Sequence, residues 1–410
     1  MISVKEALKA ILANITISGI EKVGILDSLG RVLAEDIVAK RDHPPWDNSA
    51  MDGYAVIFND IRGASKKAPA AIKVIGEVPA GRMPAVKIGR GEAVKIMTGA
   101  PMPEGADTVV RVEDTESSGS MVSIFKECER GENIRRRGED VKSGDLVIEK
   151  GKKIRPAEIG MMASVGRAFI YVHQRPRVAV MSTGDEIADL DEEVSPEKII
   201  NSNSYALRSL AMDAGCIPSL LGIARDNKED LTRRLRDGLT SDVILISGGV
   251  SMGDYDFVKD VLAEMGMEMK FWKVSMKPGQ PLAFGTIIGK PVFGLPGNPV
   301  SAMVSFYQFV MPALKKMGGQ KALYLNTIDA ISDEDLEKKR GRTYFMRAVI
   351  DIRDGVYHAR STGDQGSGIL TSMVKADGFI VIPEDSGPAK AGDTVKVQLF
   401  ESHSQEGLGF

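Results

Sequence analysis

The residues of this chain best placed to do chemistry stand in short polar loops that follow apolar runs. Val178-Ala179-Val180-Met181 leads into Ser182-Thr183-Gly184-Asp185-Glu186. Val243-Ile244-Leu245-Ile246 leads into Ser247-Gly248-Gly249-Val250-Ser251-Met252-Gly253-Asp254-Tyr255-Asp256. Val274 is followed by Lys277-Pro278-Gly279-Gln280-Pro281, and Phe293 by Leu295-Pro296-Gly297-Asn298-Pro299-Val300-Ser301. Gly248, Gly249 and Gly297 let backbone N–H groups approach an anion closely. Helices starting near Phe257 and Pro299 turn positive dipole ends the same way. Lys273 and Lys277 add positive charge; Asp185, Glu186, Asp226, Asp254 and Asp256 add carboxylates. Lysine and carboxylate mixed at one rim suit a phosphorylated ligand with Mg²⁺, because the metal takes oxygen ligands and leaves lysine for phosphate. Any one of these loops reads equally well as a plain turn or a helix cap. Four of them together argue for a site.

A second set of dense segments lies earlier in the chain. Trp46-Asp47-Asn48-Ser49-Ala50-Met51-Asp52-Gly53-Tyr54-Ala55 gathers two aspartates and two aromatic rings. Lys95-Ile96-Met97-Thr98-Gly99-Ala100-Pro101 is a turn carrying a hydroxyl. Ile134-Arg135-Arg136-Arg137-Gly138-Glu139-Asp140 is a basic run followed by acids. Guanidinium groups bind oxyanions bidentately, so the run reads as an oxyanion clamp or as a solvated face.

The elements that must carry these loops follow from periodicity. Val4, Leu8, Ile11 and Leu12 at helical spacing after Ser3 predict a capped opening helix. Short alternating runs cut by Gly and Pro predict a β-rich module over about residues 54–150. From Arg177 onward, strands at 177–181, 217–223, 243–246, 267–274 and 291–295 alternate with helices at 202–214, 228–239, 257–265 and 300–314. That order implies a mostly parallel sheet covered on both faces, with ligands bound beyond the carboxyl ends of its strands. All four loops therefore belong at one rim. After about residue 325 the pattern returns to β.

Composition narrows the field. At roughly 100–200 residues per domain, 410 residues make two to four domains. A net charge of −3 gives no basic face for bulk nucleic-acid binding. Two cysteines, Cys128 and Cys216, exclude a disulfide framework and any paired-cysteine zinc module, and four scattered histidines make a poor transition-metal set. The charged start does not read as a signal peptide, and no apolar run reaches the roughly 18 residues of a membrane span. A soluble cytoplasmic protein is expected. Neither G-x-G-x-x-G nor G-x-x-x-x-G-K-[ST] occurs, so a dinucleotide dehydrogenase or P-loop ATPase lacks its fingerprint.

Taken together, the motifs resemble those of the MoeA family, the molybdopterin molybdenumtransferases, which includes the C-terminal domain of gephyrin. The segments carrying the resemblance are 47–55, Met97-Thr98-Gly99-Ala100-Pro101, Arg136-Arg137-Gly138-Glu139-Asp140, Ser182-Thr183-Gly184-Asp185-Glu186, 248–253, Lys277-Pro278-Gly279 and 294–301. The resemblance implies a multidomain α/β plus β fold in an elongated four-domain homodimer. A discontinuous domain I would take residues 1–44 plus 145–175, and a β-rich domain II residues 45–144. A MogA-like three-layer α/β domain III, binding molybdopterin, would take 176–326, and a small C-terminal β-barrel domain IV 327–410.

It also implies a reaction: adenylylated molybdopterin and molybdate give molybdenum cofactor and AMP with Mg²⁺. The site would lie between domain III of one protomer and domain II of the other, with the molybdopterin adenylyltransferase and molybdoenzyme maturation proteins as further partners and no nucleic acid or membrane.

Under that resemblance Asp52, Thr98, Asp140, Glu186, Asp226 and Asp256 are the catalytic candidates, with Glu186 and Asp256 as Mg²⁺ ligands. Substrate binding falls to Ser182, Thr183, Gly184, Asp185, Gly248, Gly249, Ser251, Gly253, Lys273, Lys277, Pro278, Pro296, Gly297, Asn298, Pro299, Arg137, Arg347 and Ser367. Lys273, Lys277 and Arg347 would face the oxyanion, since two anions can be held together only by supplied positive charge. Two other readings compete: an adenylyltransferase using ATP directly, disfavoured by β modules at both ends, and a non-catalytic pterin carrier or scaffold.

Overall fold

The computed structural model describes residues 1–192, 195–249 and 257–400. Where apolar runs alternate with helical patterns, a six-stranded sheet forms. Its spatial order is Ile217–Ala224, Arg177–Thr183, Val243–Ser247, Lys290–Leu295, Ala283–Ile287 and Glu268–Trp272. The first four strands run parallel, and Ala283–Ile287 is antiparallel to both its neighbours. Side chains alternate across each strand. Val178, Val180, Leu245 and Phe293 thus enter one core, and Ala179, Met181, Ile244 and Ile246 the other. Helices Asn203–Asp213, Lys228–Gly238 and Phe257–Glu264 and the long helical segment from Pro299 cover the faces.

The single helix expected over 300–314 is broken in character. Pro299–Ser305 is α-helical, Phe306–Val310 is a widened π turn, and Met311–Met317 is α-helical again. Pro312 has no N–H to return to the Gln308 carbonyl, so an ordinary helical bond is missing there. The Gln308 amide is buried and donates from Nε2 to Gln398 Oε1 at 2.8 Å in the last strand.

That last strand, Thr394–Leu399, belongs to a closed barrel. Thr343–Arg353, Val356–Ser361, Thr327–Ser332, Thr394–Leu399 and Gly378–Ile382 pair in a ring, closed by Gly378–Ile382 against Thr343–Arg353. Phe345 and Phe379 of the barrel share a core with the α/β sheet. Ahead of the sheet, a β module orders Thr108–Arg111, Gly53–Val56, Glu92–Ile96, Ser65–Val78, Met121–Lys126 and Thr115–Ser118. Two distant segments build a further unit: Ile20–Gly24 pairs with Phe169–His173, Ile37–Val38 pairs with Leu146–Ile148, and Leu33, Ile37, Ile148 and Val172 share its core. The opening helix Val4–Ala13 carries the Ser3 capping box. It falls within residues 1–44, yet its buried face of Ala7 and Ile11 packs into the α/β core.

Candidate active site

Strands Arg177–Thr183, Val243–Ser247 and Lys290–Leu295 lie side by side and end on the same rim. Gly248 has φ +93° and Gly249 φ +64°, a conformation that glycine alone adopts without strain. A Cβ on Gly248 would stand 2.8 Å from the Thr183 carbonyl oxygen, and one on Gly249 2.3 Å from Val258 Cγ2. The backbone therefore passes where no side chain fits. Asn203, at the start of its helix, donates from Nδ2 to Ser247 Oγ (2.8 Å) and to the Gly297 carbonyl (2.7 Å). This joins the second loop to the fourth. The buried Ser182 hydroxyl donates to Asn201 Oδ1 at 3.0 Å and lies 2.8 Å from Ser204 Oγ. The Thr183 hydroxyl is buried without a hydrogen-bond partner among the described residues.

The barrel completes the rim. Met276–Lys277 pairs in parallel with Thr343–Tyr344, and the Lys277 ammonium sits 5.3 Å from the centre of the Tyr344 ring. Asn298 Nδ2 donates to Ser367 Oγ at 3.1 Å, and the Val300 amide donates to the Ser367 carbonyl at 3.2 Å. The result is a cleft of 1190 Å³. Of the residues expected from sequence, it brings together Ser182, Thr183, Glu186, Gly248, Gly249, Lys277, Pro278, Pro296, Gly297, Asn298, Pro299 and Ser367. It also holds Gln280 of the third loop, and it adds Asn201, Asn203, Arg342, Asp364 and Gln365, which sequence reasoning missed. The run Asn201-Ser202-Asn203-Ser204 at a helix start was the available signal.

Other expected residues stand elsewhere. Arg347, expected to face the oxyanion, is 1% exposed and lies behind the wall. Its Nε donates to Ser372 Oγ at 3.0 Å and its Nη2 to the Gly366 carbonyl at 3.1 Å. Burial pulls its guanidinium down to about 10, so it stays charged at neutral pH. Lys273 is half-buried and is not on the wall. Gly184, Asp185 and Asp226 flank the cleft: the Asp185 amide donates to Asp226 Oδ2 at 3.3 Å and the Asp226 amide to Asp185 Oδ1 at 3.2 Å. Ser251, Gly253 and Asp256 lie outside the described residues.

The β module holds a separate group. The Thr98 amide and hydroxyl both donate to Asp52 Oδ1, at 2.7 and 2.8 Å. These bonds, the amide first, hold the Asp52 carboxyl below the usual carboxylate range. Asp52 Oδ2 has no hydrogen-bond donor among the described residues. Arg137 is paired with Asp42, and Arg136 Nη1 reaches Asp47 Oδ2 at 2.7 Å. Two of the three arginines of the run are thus engaged by carboxylates of their own chain. Asp140 is exposed, its amide donating to the His43 carbonyl at 3.2 Å. None of Asp52, Thr98, Arg137 and Asp140 lines the cleft.

No group of three His, Cys, Asp or Glu placed to hold a metal occurs among the described residues. Among the described residues, Glu186 and Asp364 are the carboxylates on the cleft wall. That donor set fits an ion of the Mg²⁺ type, which takes one or two carboxylates and completes its shell with water and substrate phosphate.

The fold and cleft define a multidomain protein built around a central α/β domain with an anion-type site at the carboxyl rim of its sheet. Residues 2–166 match the MoeA N-terminal region (domain I and II), residues 179–316 the probable molybdopterin binding domain, and residues 329–400 the MoeA C-terminal region (domain IV). A molybdopterin molybdenumtransferase of Haemophilus influenzae is 36% identical over 384 residues, 93% of this chain and 94% of that protein. One from Staphylococcus epidermidis is 35% identical over 407 residues, 99% of this chain and 97% of that protein. The crystal structure of a molybdopterin biosynthesis MoeA protein from Pyrococcus horikoshii superposes with a TM-score of 0.85 at 32% identity, covering 98% of this chain and all of that one. The chain belongs to the MoeA family of molybdopterin molybdenumtransferases. No helix among the described residues is long and apolar enough to cross a membrane.

Proposed function

We propose that this chain is a transferase of molybdenum cofactor biosynthesis that inserts molybdate into adenylylated molybdopterin, releasing AMP, as a cytoplasmic homodimer whose sites are shared between protomers. One observation carries this reading. The glycine-lined loops, Lys277 and Ser367 meet in one cleft, while the Asp52 carboxylate, ordered by Thr98, stands on a separate sheet of the same chain. A second protomer would bring its Asp52 to that cleft.

The reaction must hold two anions together until an oxygen attacks phosphorus and AMP departs. The backbone amides of Gly249, Gly297 and Asn298, with Lys277, would neutralise the phosphoanhydride. Asn298 and Ser367 would orient the ligand from the fourth loop and the barrel. Glu186 would hold Mg²⁺, which supplies charge neutralisation at the phosphate oxygens when bound. Asp52 would orient the attacking oxygen through its unshared Oδ2. Incubation with adenylylated molybdopterin, Mg²⁺ and molybdate should release AMP in a molybdate-dependent way. Glu186→Ala and Asp52→Ala should each lose activity while remaining dimeric. Absence of molybdate-dependent AMP release defeats the reading, and full activity in both variants removes the two carboxylate roles.

A further inference from the structure

Beside the cleft lies a second cavity of 690 Å³, which shares Lys277 and Arg342 with it. It forms where the turn at residues 338–342 faces residues 388–390 of the barrel. Lys277, Lys338, Lys339, Arg340, Arg342 and Lys390 line it, against the carboxylates of Asp335 and Glu337. Two of these cations are committed. Lys390 Nζ pairs with Asp335 Oδ2 at 2.7 Å, and Lys338 Nζ donates to the carbonyls of Glu384 (2.9 Å) and Ser386 (2.8 Å). The other four, Lys277, Lys339, Arg340 and Arg342, form no ion pair among the described residues.

Like charges gathered in a concave surface repel one another and focus a positive field, which an anion relieves. The chemistry selects the kind of anion. Arginine forks match tetrahedral oxyanions, and lysine adds a point charge. The one aromatic ring on this wall, Tyr344, is buried, so the wall offers no open aromatic face on which a nucleobase or pterin could stack. The ammonium groups of Lys277 and Lys338 stand over the Tyr344 ring at 5.3 and 5.9 Å. The trough is built for a small dianion.

We propose that this trough is the route by which the tetrahedral oxyanion substrate reaches the cleft: Lys339 and Arg340 capture it at the outer end, and Arg342 and Lys277 pass it inward. The inference rests on the molybdate-transfer reading and adds to it two steering residues that touch no reacting atom. Lys339 and Arg340 are exposed and outside the cleft wall, so reversing their charge leaves the chemical step intact.

The test compares the full-length dimer with its Lys339→Glu/Arg340→Glu variant, after equal thermal unfolding confirms the fold. At low ionic strength kcat/KM for molybdate in AMP release should fall about tenfold or more, with kcat and the KM for adenylylated pterin unchanged. The gap should narrow as salt shortens the screening length. An unchanged kcat/KM for molybdate overturns the proposal, as does a loss confined to the pterin KM. Equilibrium dialysis with tungstate reads the trough without turnover. Binding several-fold weaker in the variant supports the proposal and equal binding overturns it, even if the wild-type chain releases no AMP and the parent reading fails.

Discussion

Replacement of Arg347 by lysine tests whether this residue shapes the cleft or binds its contents. The arginine side chain is 1% exposed, so water cannot stand in for a lost partner. Its guanidinium spans two acceptors, Ser372 Oγ and the Gly366 carbonyl, in opposite parts of one loop and helix turn. Lysine keeps the charge but offers a compact ammonium on a shorter reach, enough for one acceptor. A hydrogen bond from a charged donor is worth about 1.5–3 kcal/mol, and the abandoned acceptor stays buried. A loss of about 2–3 kcal/mol follows, centred on the barrel. At roughly 1.4 kcal/mol per factor of ten, that is about 30- to 150-fold faster amide exchange. Hydrogen exchange of Thr343–Arg353 and Gly378–Ile382 reads it directly. The Ser367 contacts to Asn298 and Val300 should loosen in the same variant, because Gly366 is their neighbour. Unchanged exchange together with a raised KM for molybdate would refute the argument and return Arg347 to the role of a direct anion ligand.

Two further outcomes follow from the electrostatics. Thr98→Val removes one of two donors that depress the Asp52 carboxyl; the acid limb of the pH–activity profile should move to higher pH, whereas Thr98→Ser leaves it in place. Glu158 is buried, and its carboxyl is held at about 2 rather than 4.5 chiefly by the Arg155 side chain, then by Lys152, against the cost of burial. A depressed carboxylate stabilises the fold above its unfolded pKa and loses that contribution as pH falls through the folded one. Glu158→Gln should therefore cost about 2 kcal/mol at pH 7, and the gap to wild type in urea titrations should close as pH falls from about 4.5 to about 2.

The α/β region was legible because its central strands announce themselves locally. Val243-Ile244-Leu245-Ile246 is apolar without a break, as a strand covered on both faces must be. The loops after such strands could then be assigned to one rim by topology alone, and the cleft gathers all four. What stayed hidden depends on partners far along the chain. Arg347 carries the charge that an oxyanion needs, but nothing nearby tells that Gly366 and Ser372 fold over it. Arg136 and Arg137 looked free because their carboxylates, Asp47 and Asp42, come about ninety residues earlier. Asn203 went unnoticed because asparagine near a helix start is an ordinary cap; only the fold shows its amide bridging two loops.

The pairing of Met276–Lys277 with Thr343–Tyr344 means that the two halves of the cleft mouth cannot be traded like cassettes. A chain ending near residue 326 would keep every strand of the parallel sheet but strip this short ribbon of its mate. It would also lose Phe345 and Phe379 from the core that the barrel shares with the sheet, baring the apolar side chains of Phe306 and Phe309. The barrel thus covers the body beneath the mouth as well as forming one of its walls.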